Sequence, residues 1–256
     1  MSTIKESVEE LIKKPLEEML SAAQHLRKPA LSDSCTAPQD LAQAYQIQRS
    51  IFCQNNKGLG AWKLGRLGDS SVFCAPIYAA DIFKEGDKLP AHYQNACHVE
   101  AEVAVKLNRA IKSTDKIELG DIADYFSEVC CAIEVLDSRF IDWQETGSLY
   151  HIADRNMNGA IALGAAQQIT TLEDYQQQSF TLMINDELIS SGENLHPEAD
   201  LPAALWGFVQ RVQASSYDLE CDSWVTTGSW SGYPVAKVGD KIKLNFSRLG
   251  DLSIEL

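Results

Sequence analysis

Hydrophobic and polar positions repeat with two different periods along this chain, and the change from one period to the other divides the chain into two parts near residue 58. In residues 6–27, apolar side chains recur at intervals of three and four, which predicts an amphipathic helix with a kink or break at Pro15. Residues 28–38 are interpreted as a linker and residues 38–55 as a second helix. We therefore expect residues 1–58 to form a helical amino-terminal segment.

Beyond residue 58, short apolar runs separated by turn residues are typical of β-strands. Eight strands are predicted, at 61–65, 97–107, 129–136, 160–163, 180–184, 224–227, 241–246 and 252–256. Asn185 and Asp186 indicate a hairpin turn that leads into a further strand at 187–190. Three helices are predicted among the strands, at 120–128, 171–178 and 201–215. Because strands and helices do not alternate regularly, the pattern predicts an α+β fold with a β-rich core over residues 59–256.

Composition narrows the classes of function. The chain has 256 residues, 45% of them hydrophobic and 23% charged, as in an ordinary folded protein. Its formal net charge of -14 argues against binding to nucleic acid or anionic membranes, which requires clustered lysine and arginine. No run has the length of a transmembrane span or the apolar core of a signal peptide. The seven cysteines lack a Cys-x-x-Cys pair and are interpreted as thiols in a reducing cytoplasm, so we expect a cytoplasmic protein.

Three glutamates and one lysine lie within apolar runs. Glu100 and Glu102 are two residues apart in one predicted strand, and Glu134 lies in another. Because a strand has a period of two, Glu100 and Glu102 point to the same face, roughly 6–7 Å apart, where their charges repel. Lys63 follows a Gly-Ala-Trp run. Buried charges are costly without a partner, and a divalent cation is the simplest group that would neutralise the glutamates.

Each of these residues also has a simpler interpretation. Glu100 and Glu102 could lie on a solvated edge strand, Glu134 at an exposed strand position, and Lys63 could extend from a strand end into solvent. The hydroxyl-rich turn at 226–229 could donate hydrogen bonds to a carboxylate or be an ordinary turn. The individual residues leave these alternatives open.

The charged residues belong to a longer series of short segments that runs from about residue 40 to the carboxyl terminus. The segments lie at 44–48, 61–65, 99–104, 132–139, 152–159, 163–164, 227–229 and 238–240. The series resembles the fumarylacetoacetate hydrolase superfamily, and within it the branch of 2-keto-4-pentenoate hydratase and 4-oxalocrotonate decarboxylase. The combination of Glu-x-Glu with Glu-x-x-Asp-Ser-Arg is fairly specific to that branch.

The resemblance implies a fold and a metal site. The fold would be the α+β fold of that superfamily, a mixed β-roll core preceded by a helical segment. Glu100, Glu102 and Glu134 would bind Mg²⁺ or Mn²⁺.

The resemblance also implies roles for four other residues. Lys63 would be the catalytic lysine, with a pKa lowered by the metal and by burial. Asp81 falls where the family carries an acidic pocket residue and would act beside Lys63, for example by orienting water. Ser229 and Arg139 would bind the substrate.

The chain departs from the family pattern at three places. Arg155 stands where an asparagine is expected, the segment 196–200 replaces a Gly-x-Pro sequence, and glycines are missing around Leu219. These differences bear on the choice of substrate more than on the metal site.

The activity implied by the resemblance is that of a hydro-lyase. A 2-hydroxy-2,4-dienoate would gain water and become a 4-hydroxy-2-oxo acid, with the cation stabilising enolate charge at C2. One alternative is decarboxylation of a 2-oxo-3-enedioate such as 4-oxalocrotonate; another is a diverged protein that binds an oxo acid, or a partner subunit, without turnover. Hydrolysis of an acylpyruvate is less favoured, because no clear His-Glu motif is present. The expected partners are a small 2-oxo or 2-hydroxydienoic acid and further copies of the chain in a homo-oligomer, with association of a related subunit as an additional option.

Overall fold

The computed structural model describes residues 14–55, 57–67, 71–93, 95, 97–193 and 196–256. Four α-helices are present in these ranges: α1 Leu16–Leu26, α2 Leu41–Asn55, α3 Ser148–Ala153 and α4 Leu201–Ala214. Short 3₁₀ turns lie at Ser32–Ser34, Ala79–Asp81, Leu119–Tyr125, Arg155–Met157 and Glu173–Tyr175. None of the helices in the described part of the chain combines the length and apolar character needed to cross a membrane.

Twelve strands form two sheets in the described residues. They are β1 Leu59–Leu67, β2 Ser71–Tyr78, β3 Ile82–Lys84, β4 His98–Leu107, β5 Phe126–Leu136, β6 Asn158–Leu163, β7 Gln167–Gln168, β8 Phe180–Ile184, β9 Glu187–Gly192, β10 Trp224–Ser229, β11 Lys241–Phe246 and β12 Gly250–Glu255. The larger sheet has the order β2-β1-β10-β4-β5-β6-β3, with β7 paired to β5. Its β1–β10 and β3–β6 pairs are parallel and its other pairs antiparallel, so the sheet is mixed.

Strands β4 and β5 occupy the centre of the larger sheet and carry all three glutamates. Both strands are covered on both faces, which explains why each appears in the sequence as a nearly continuous apolar run. Val99, Ala101, Val103 and Val105 of β4 point into the main core, while the alternate positions point to the opposite face. The expected division of β4 into a core face and a glutamate face is therefore present.

The smaller sheet has the order β12-β11-β8-β9 and packs against β5. Exposed and buried residues alternate along β11, and the buried ones, Ile242, Leu244 and Phe246, belong to the main core. Asn185 and Asp186 have φ of 52° and 66° and form the predicted hairpin turn between β8 and β9.

Side chains from α1, α2 and α4 join one hydrophobic core with both sheets. The α+β class predicted from the sequence is confirmed, whereas the boundary between residues 1–58 and 59–256 stays a prediction. Residues 6–13 of the first predicted helix lie outside the described residues, and α1 begins just after Pro15. Five of the seven cysteines are buried.

Some predicted elements differ from the structure. The expected helix at 120–128 is a 3₁₀ turn that ends at Tyr125, because the chain enters β5 at Phe126. The expected helix at 171–178 shrinks to the 3₁₀ turn Glu173–Tyr175. Strand β2 was not predicted; it contains Pro76, which is tolerated here because β2 lies at the edge of the sheet.

Candidate metal centre

The strand register brings the three glutamates together. Glu100 lies directly opposite Glu134 in the antiparallel pair of β4 and β5, and Glu102 lies two residues further along the same face of β4. One carboxylate oxygen of each residue lies within 4.8 Å of one oxygen from each of the other two. Glu134 is fully buried and Glu102 is only 1% exposed. The solvated-strand alternative for these residues is therefore excluded.

Lys63 reaches the glutamates from a strand that is not adjacent to theirs. It lies on β1 opposite Thr226 of β10, and β10 separates β1 from β4. Its Nζ atom lies 3.1 Å from Glu100 Oε2 and 2.9 Å from Glu134 Oε1. The long lysine side chain thus spans one strand and places its ammonium group inside the carboxylate cluster rather than in solvent.

A β-bulge in β10 completes the cluster. The register between β10 and β4 shifts between Thr226 and Ser229, and Gly228 has a φ of 104°, a conformation that favours glycine. At this point the backbone N–H of Gly228 donates to Glu102 Oε2 at 2.9 Å. On the opposite side, Asn158 Nδ2 donates to Glu134 Oε1 at 2.9 Å. Each of these uncharged donors holds one carboxylate in place, so neither adds positive charge to the cluster.

Burial and the charges within the cluster shift the pKa values of Glu102, Glu100 and Lys63. Burial, together with repulsion from Glu134 and Glu100, raises the pKa of Glu102 well above its ordinary value. Burial also raises the pKa of Glu100, although the nearby Lys63 opposes this. Burial lowers the pKa of Lys63, but attraction to Glu100, Glu134 and Glu102 outweighs it, so the net pKa is raised. The charges that the chain itself supplies therefore raise the lysine pKa. The expected lowering by a bound metal stays a prediction.

These residues fit a hard divalent cation. Three ionised carboxylates and one ammonium leave a buried charge of about -2, which a divalent ion would cancel. Glu134 Oε2 is buried and has no hydrogen-bond partner among the described residues, as expected of an atom that awaits a ligand. All the ligand atoms are carboxylate oxygens, which Mg²⁺, Mn²⁺ and Ca²⁺ prefer.

The cluster lies in a pocket of about 480 Å³. Lys63, Glu100 and Glu102 line it together with Gly228 and Ser229. The rest of the lining combines an apolar and aromatic wall with a few polar groups, namely Leu64, Gly65, Arg66, Phe73, Leu136, Trp143, His151, Asn156, Met157, Pro197, Glu198 and Tyr233. A small organic acid with an unsaturated tail would match this combination of charged floor and apolar wall.

The sequence model of the carboxyl-terminal domain of fumarylacetoacetate (FAA) hydrolase matches residues 68–256. The chain belongs to the fumarylacetoacetate hydrolase family. The match includes β4, β5 and β10 and hence all three glutamates, whereas Lys63 lies just before it.

Two bacterial relatives of this family member are 2-keto-4-pentenoate hydratases. The protein from Burkholderia vietnamiensis (strain G4) is 24% identical over 234 residues, which cover 87% of this chain and 88% of the relative. The protein from Paraburkholderia phymatum is 24% identical over 251 residues, covering 91% of this chain and 95% of the relative. The family and these relatives identify the chain as an enzyme of the fumarylacetoacetate hydrolase superfamily.

Solved structures share its fold. The 4-oxalocrotonate decarboxylase from Pseudomonas putida G7, complexed with calcium and acetate, superposes with a TM-score of 0.76 at 18% identity, over 94% of this chain and 95% of that one. Its complex with magnesium and adipate gives a TM-score of 0.75 at the same identity and coverage. The 2-hydroxyhepta-2,4-diene-1,7-dioate isomerase from Mycobacterium marinum gives 0.57 at 14% identity, over 78% of this chain and 74% of that one. The expected family and fold are thus confirmed, and the chain is similar to members of the expected branch.

The structure brings five of the seven predicted site residues together. Lys63, Glu100, Glu102 and Ser229 line the pocket, and Glu134 lies directly beneath it in contact with Lys63. Ser229 lies opposite Glu102 in the strand register, so its place beside the cluster follows from the β10–β4 pairing. What each residue does in catalysis stays a prediction.

Asp81 and Arg139 are not brought to this pocket. Asp81 lies at the end of a 3₁₀ turn, where its Oδ1 accepts a hydrogen bond from the Tyr93 hydroxyl at 2.8 Å. Arg139 forms a buried ion pair with Asp154 and donates to the Asn158 carbonyl oxygen at 2.8 Å. Both side chains line a second cavity, so the expected roles in catalysis and substrate binding receive no support from this geometry.

Several pocket residues were not found from the sequence. Trp143, His151 and Tyr233 come from loops or a short helix, and Asn158, which lies beside the pocket, reaches Glu134 only through the register of its strand. Gly228 is different, because the turn at 226–229 was considered as a possible donor to a carboxylate and its N–H does donate to Glu102. Glu198 belongs to the segment 196–200, which had been noted only as a departure from the family pattern. The sequence of this segment contains no signal that would have distinguished Glu198 from the nearby Asp200.

Proposed function

We propose that this enzyme is a divalent-metal-dependent hydratase that converts a 2-hydroxy-2,4-dienoate into a 4-hydroxy-2-oxo acid. The observation that carries the proposal is the buried cluster of Glu100, Glu102 and Glu134 around Lys63 at the floor of a largely apolar pocket. The names of the two 24%-identical relatives support the same reaction.

The three glutamates would hold Mg²⁺ or Mn²⁺. The cation, when bound, supplies Lewis acidity that stabilises negative charge on the substrate's C2 oxygen and carboxylate. The chain fixes the ligands with the Asn158 amide and the Gly228 N–H, which hold Glu134 and Glu102 in place. This arrangement is formed before substrate arrives, because all its members lie on paired strands.

Lys63 is positioned to hold a proton beside the substrate's enol oxygen. Its ammonium group has three N–H donors, of which two are directed at Glu100 and Glu134. The third is free to donate to the C2 oxygen of a substrate on the pocket floor. In ketonisation the C2–OH would lose its proton and C5 would gain one, so that the C2–C3 and C4–C5 double bonds are replaced by a C2 carbonyl and a C3–C4 double bond, which water can attack at C4.

His151 is the group best placed in the pocket to accept a proton from that water. Its Nε2 lies 2.9 Å from the Trp143 carbonyl oxygen, which can only accept a hydrogen bond. Nε2 must therefore carry the proton, and Nδ1 of the neutral ring keeps its lone pair. Both residues line the pocket, so Nδ1 would act as the general base that removes the water proton as oxygen bonds to C4. The C3–C4 π electrons would move into a C2 enolate, and return of the proton to C3 would give the 4-hydroxy-2-oxo acid.

The far end of the pocket favours a substrate with one carboxylate. The basic side chains among the described residues that line the pocket are Lys63, His151 and Arg66. Arg66 Nε donates to Glu198 Oε2 at 2.6 Å. Glu198 is only 4% exposed, whereas Arg66 is exposed, so the pair neutralises the arginine at the rim of the pocket. A second substrate carboxylate would meet Glu198 rather than a free cation, while Phe73 suits a hydrocarbon tail.

Decarboxylation of a 2-oxo-3-enedioate is the second candidate. It is favoured by the TM-score of 0.76 to a 4-oxalocrotonate decarboxylase and uses the same stabilised enolate. A dicarboxylate would require Arg66 to exchange Glu198 for the substrate. The Glu198→Gln variant should therefore gain activity on the dicarboxylate relative to the monocarboxylate, and an unchanged ratio would remove Arg66 from the argument.

The decisive test follows loss of dienol absorbance with added Mg²⁺ or Mn²⁺, and release of CO₂ from 2-oxo-3-hexenedioate. The Glu102→Gln variant should lose activity by a factor of at least about 10² with weakened metal binding. Glu128→Gln is the matched control, because Glu128 lies on β5 outside the pocket and pairs with Lys106. Activity that survives chelation or the Glu102→Gln change would refute the proposal. Tight metal binding without turnover of either substrate would instead support a non-catalytic oxo-acid-binding protein.

A further inference from the structure

A second cavity, of about 610 Å³, lies on the other side of the segment that follows α3. Arg155 lines this cavity, whereas the next two residues, Asn156 and Met157, line the metal pocket. These three non-glycine residues have φ of 54°, 48° and 61°. Such left-handed backbone is unfavourable for L-residues, and a run of three indicates that their side-chain directions are imposed by the surrounding fold.

Arg155 is a buried cation without an anionic partner. It is 4% exposed, and no carboxylate in the described part of the chain forms an ion pair with it. Its Nη1 atom is buried and has no hydrogen-bond partner among the described residues. The guanidinium instead stacks on Tyr78, with Cζ 4.4 Å from the ring centroid. A buried guanidinium is normally paired, because an uncompensated charge is costly to desolvate.

Burial and repulsion from Arg139 lower the pKa of Arg155, and the attraction of Asp81 and Asp154 does not offset them. Arg139 also lines the cavity but is already paired with Asp154. The Lys57 ammonium lies 5.3 Å from the same Tyr78 ring, on a side chain that is electrostatically coupled to Arg155.

The cavity lining as a whole carries a positive surplus. Arg27 and Lys28 lie at its exposed rim, and its two carboxylates are Asp81 and Asp137. Asp81 is engaged by the Tyr93 hydroxyl and Asp137 by the backbone N–H of Asn95. Arg155 with the two rim bases therefore outnumbers the two acids, in a protein whose formal net charge is -14. Local positive charge in an acidic protein is typical of a site for a small anion.

We propose that this second cavity binds a small oxyanion, a carboxylate or a phosphate, with the Arg155 guanidinium as its principal anchor and Arg27 and Lys28 at its entrance. Guanidinium pairs with planar carboxylate and with phosphate through two parallel hydrogen bonds, and such an anion would supply the missing partner. The proposal is independent of the reaction at the glutamate cluster, because no glutamate of that cluster lines this cavity.

The test is isothermal titration calorimetry of the full chain, freed of divalent ions on a chelating resin, with inorganic phosphate and with succinate as separate probes. At least one anion should bind, and the anion that does identifies phosphate or carboxylate as the source. Arg155→Gln should weaken binding about 10- to 100-fold. Arg248→Gln, a change of the same charge at an exposed arginine outside the cavity, should have little effect. Glu102→Gln should leave anion binding unchanged.

Arg27→Gln combined with Lys28→Gln changes only the exposed rim, and this double variant tests the cavity even if Arg155→Gln does not fold. It should weaken anion binding while preserving the circular dichroism of the parent. The proposal is overturned if neither anion binds. It is also overturned if Arg248→Gln weakens binding as much as the cavity variants, or if binding depends on Glu102 rather than on the cavity residues.

Discussion

His196 links the segment at the pocket wall to the stability of the whole protein. Its Nδ1 lies 2.9 Å from the backbone N–H of Glu198 and accepts a hydrogen bond from it. Its Nε2 must then carry the proton and donate to Thr227 Oγ1, also at 2.9 Å, and the threonine hydroxyl donates to the Val103 carbonyl oxygen at 2.7 Å. The ring is neutral in this network, and a second proton on Nδ1 would abolish its only acceptor.

Burial lowers the pKa of His196 from 6.5 to about 4. Above pH 6.5 the ring is neutral in both the folded and the unfolded chain, so the folded state has its full stability. Between pH 6.5 and pH 4 the unfolded chain binds a proton that the folded chain does not, so stability falls as the pH falls. At about 1.4 kcal/mol per pH unit, the whole difference amounts to about 3 kcal/mol.

The perturbation is His196→Gln, which removes the titration but keeps an amide that can donate to Thr227. We expect the free energy of unfolding of the parent protein to fall by about 2–3 kcal/mol more than that of the variant between about pH 7.5 and pH 4.5. Urea denaturation at constant protein concentration measures this difference. His25→Gln, a change at an exposed histidine of α1, is the control and should follow the parent.

Parallel pH profiles for the parent and His196→Gln would refute this reasoning. Such a result would mean that His196 has the same pKa in the folded and unfolded chains, and hence that its ring is not buried in the folded protein. The same measurement therefore tests whether Glu198 is held at the pocket wall by the hydrogen bond of its own backbone.

Three further predictions concern residues in the metal centre or on the strands beside it. Asn158→Ala removes the donor to Glu134 and should weaken Mn²⁺ binding about 10- to 100-fold by calorimetry; unchanged affinity would contradict the positioning role. Thr226→Val replaces a buried hydroxyl that has no partner among the described residues, so urea denaturation should find stability unchanged or increased by about 1 kcal/mol, and a large loss would reveal a missed partner. Lys63→Met leaves three carboxylates without an ammonium, so Mn²⁺ should raise its melting temperature more than that of the parent in thermal scans; equal shifts would place Lys63 outside the cluster.

Strand periodicity predicts only part of the metal end of the site. Two glutamates at positions i and i+2 must share a face, but periodicity leaves open whether that face is buried or lies on a solvated edge. The pairing of Glu100 with Glu134 is different, because register depends on contacts between distant segments. Here the resemblance to a family grouped Glu134 with Glu100 and Glu102, which the local sequence pattern could not do. The same limit applies to Lys63, whose reach across β10 depends on the order of strands in the sheet.

Asp81 shows where transfer by resemblance loses accuracy. The sequence placed it in a segment that the family associates with the pocket, but the 3₁₀ turn at Ala79–Asp81 directs its carboxylate to Tyr93 and the second cavity. Side-chain direction at such a turn is determined by a few backbone dihedrals, which sequence pattern does not specify. The short α3 and the proline-containing β2 were missed for a related reason, since neither has a long enough periodic run to identify it.

The two ends of the pocket are determined by different kinds of structure, and this explains how related enzymes with one fold can catalyse different reactions. The carboxylate cluster lies on paired central strands, where a change in one residue disturbs a buried network of charges. The opposite wall is formed by the end of β1 and the segment 196–200, where Arg66 and Glu198 meet. Loops and strand ends accept substitution more readily than a sheet centre. Under the proposed function, substitution of Glu198 would therefore change the selection between one and two substrate carboxylates and leave the chemistry on the metal side the same.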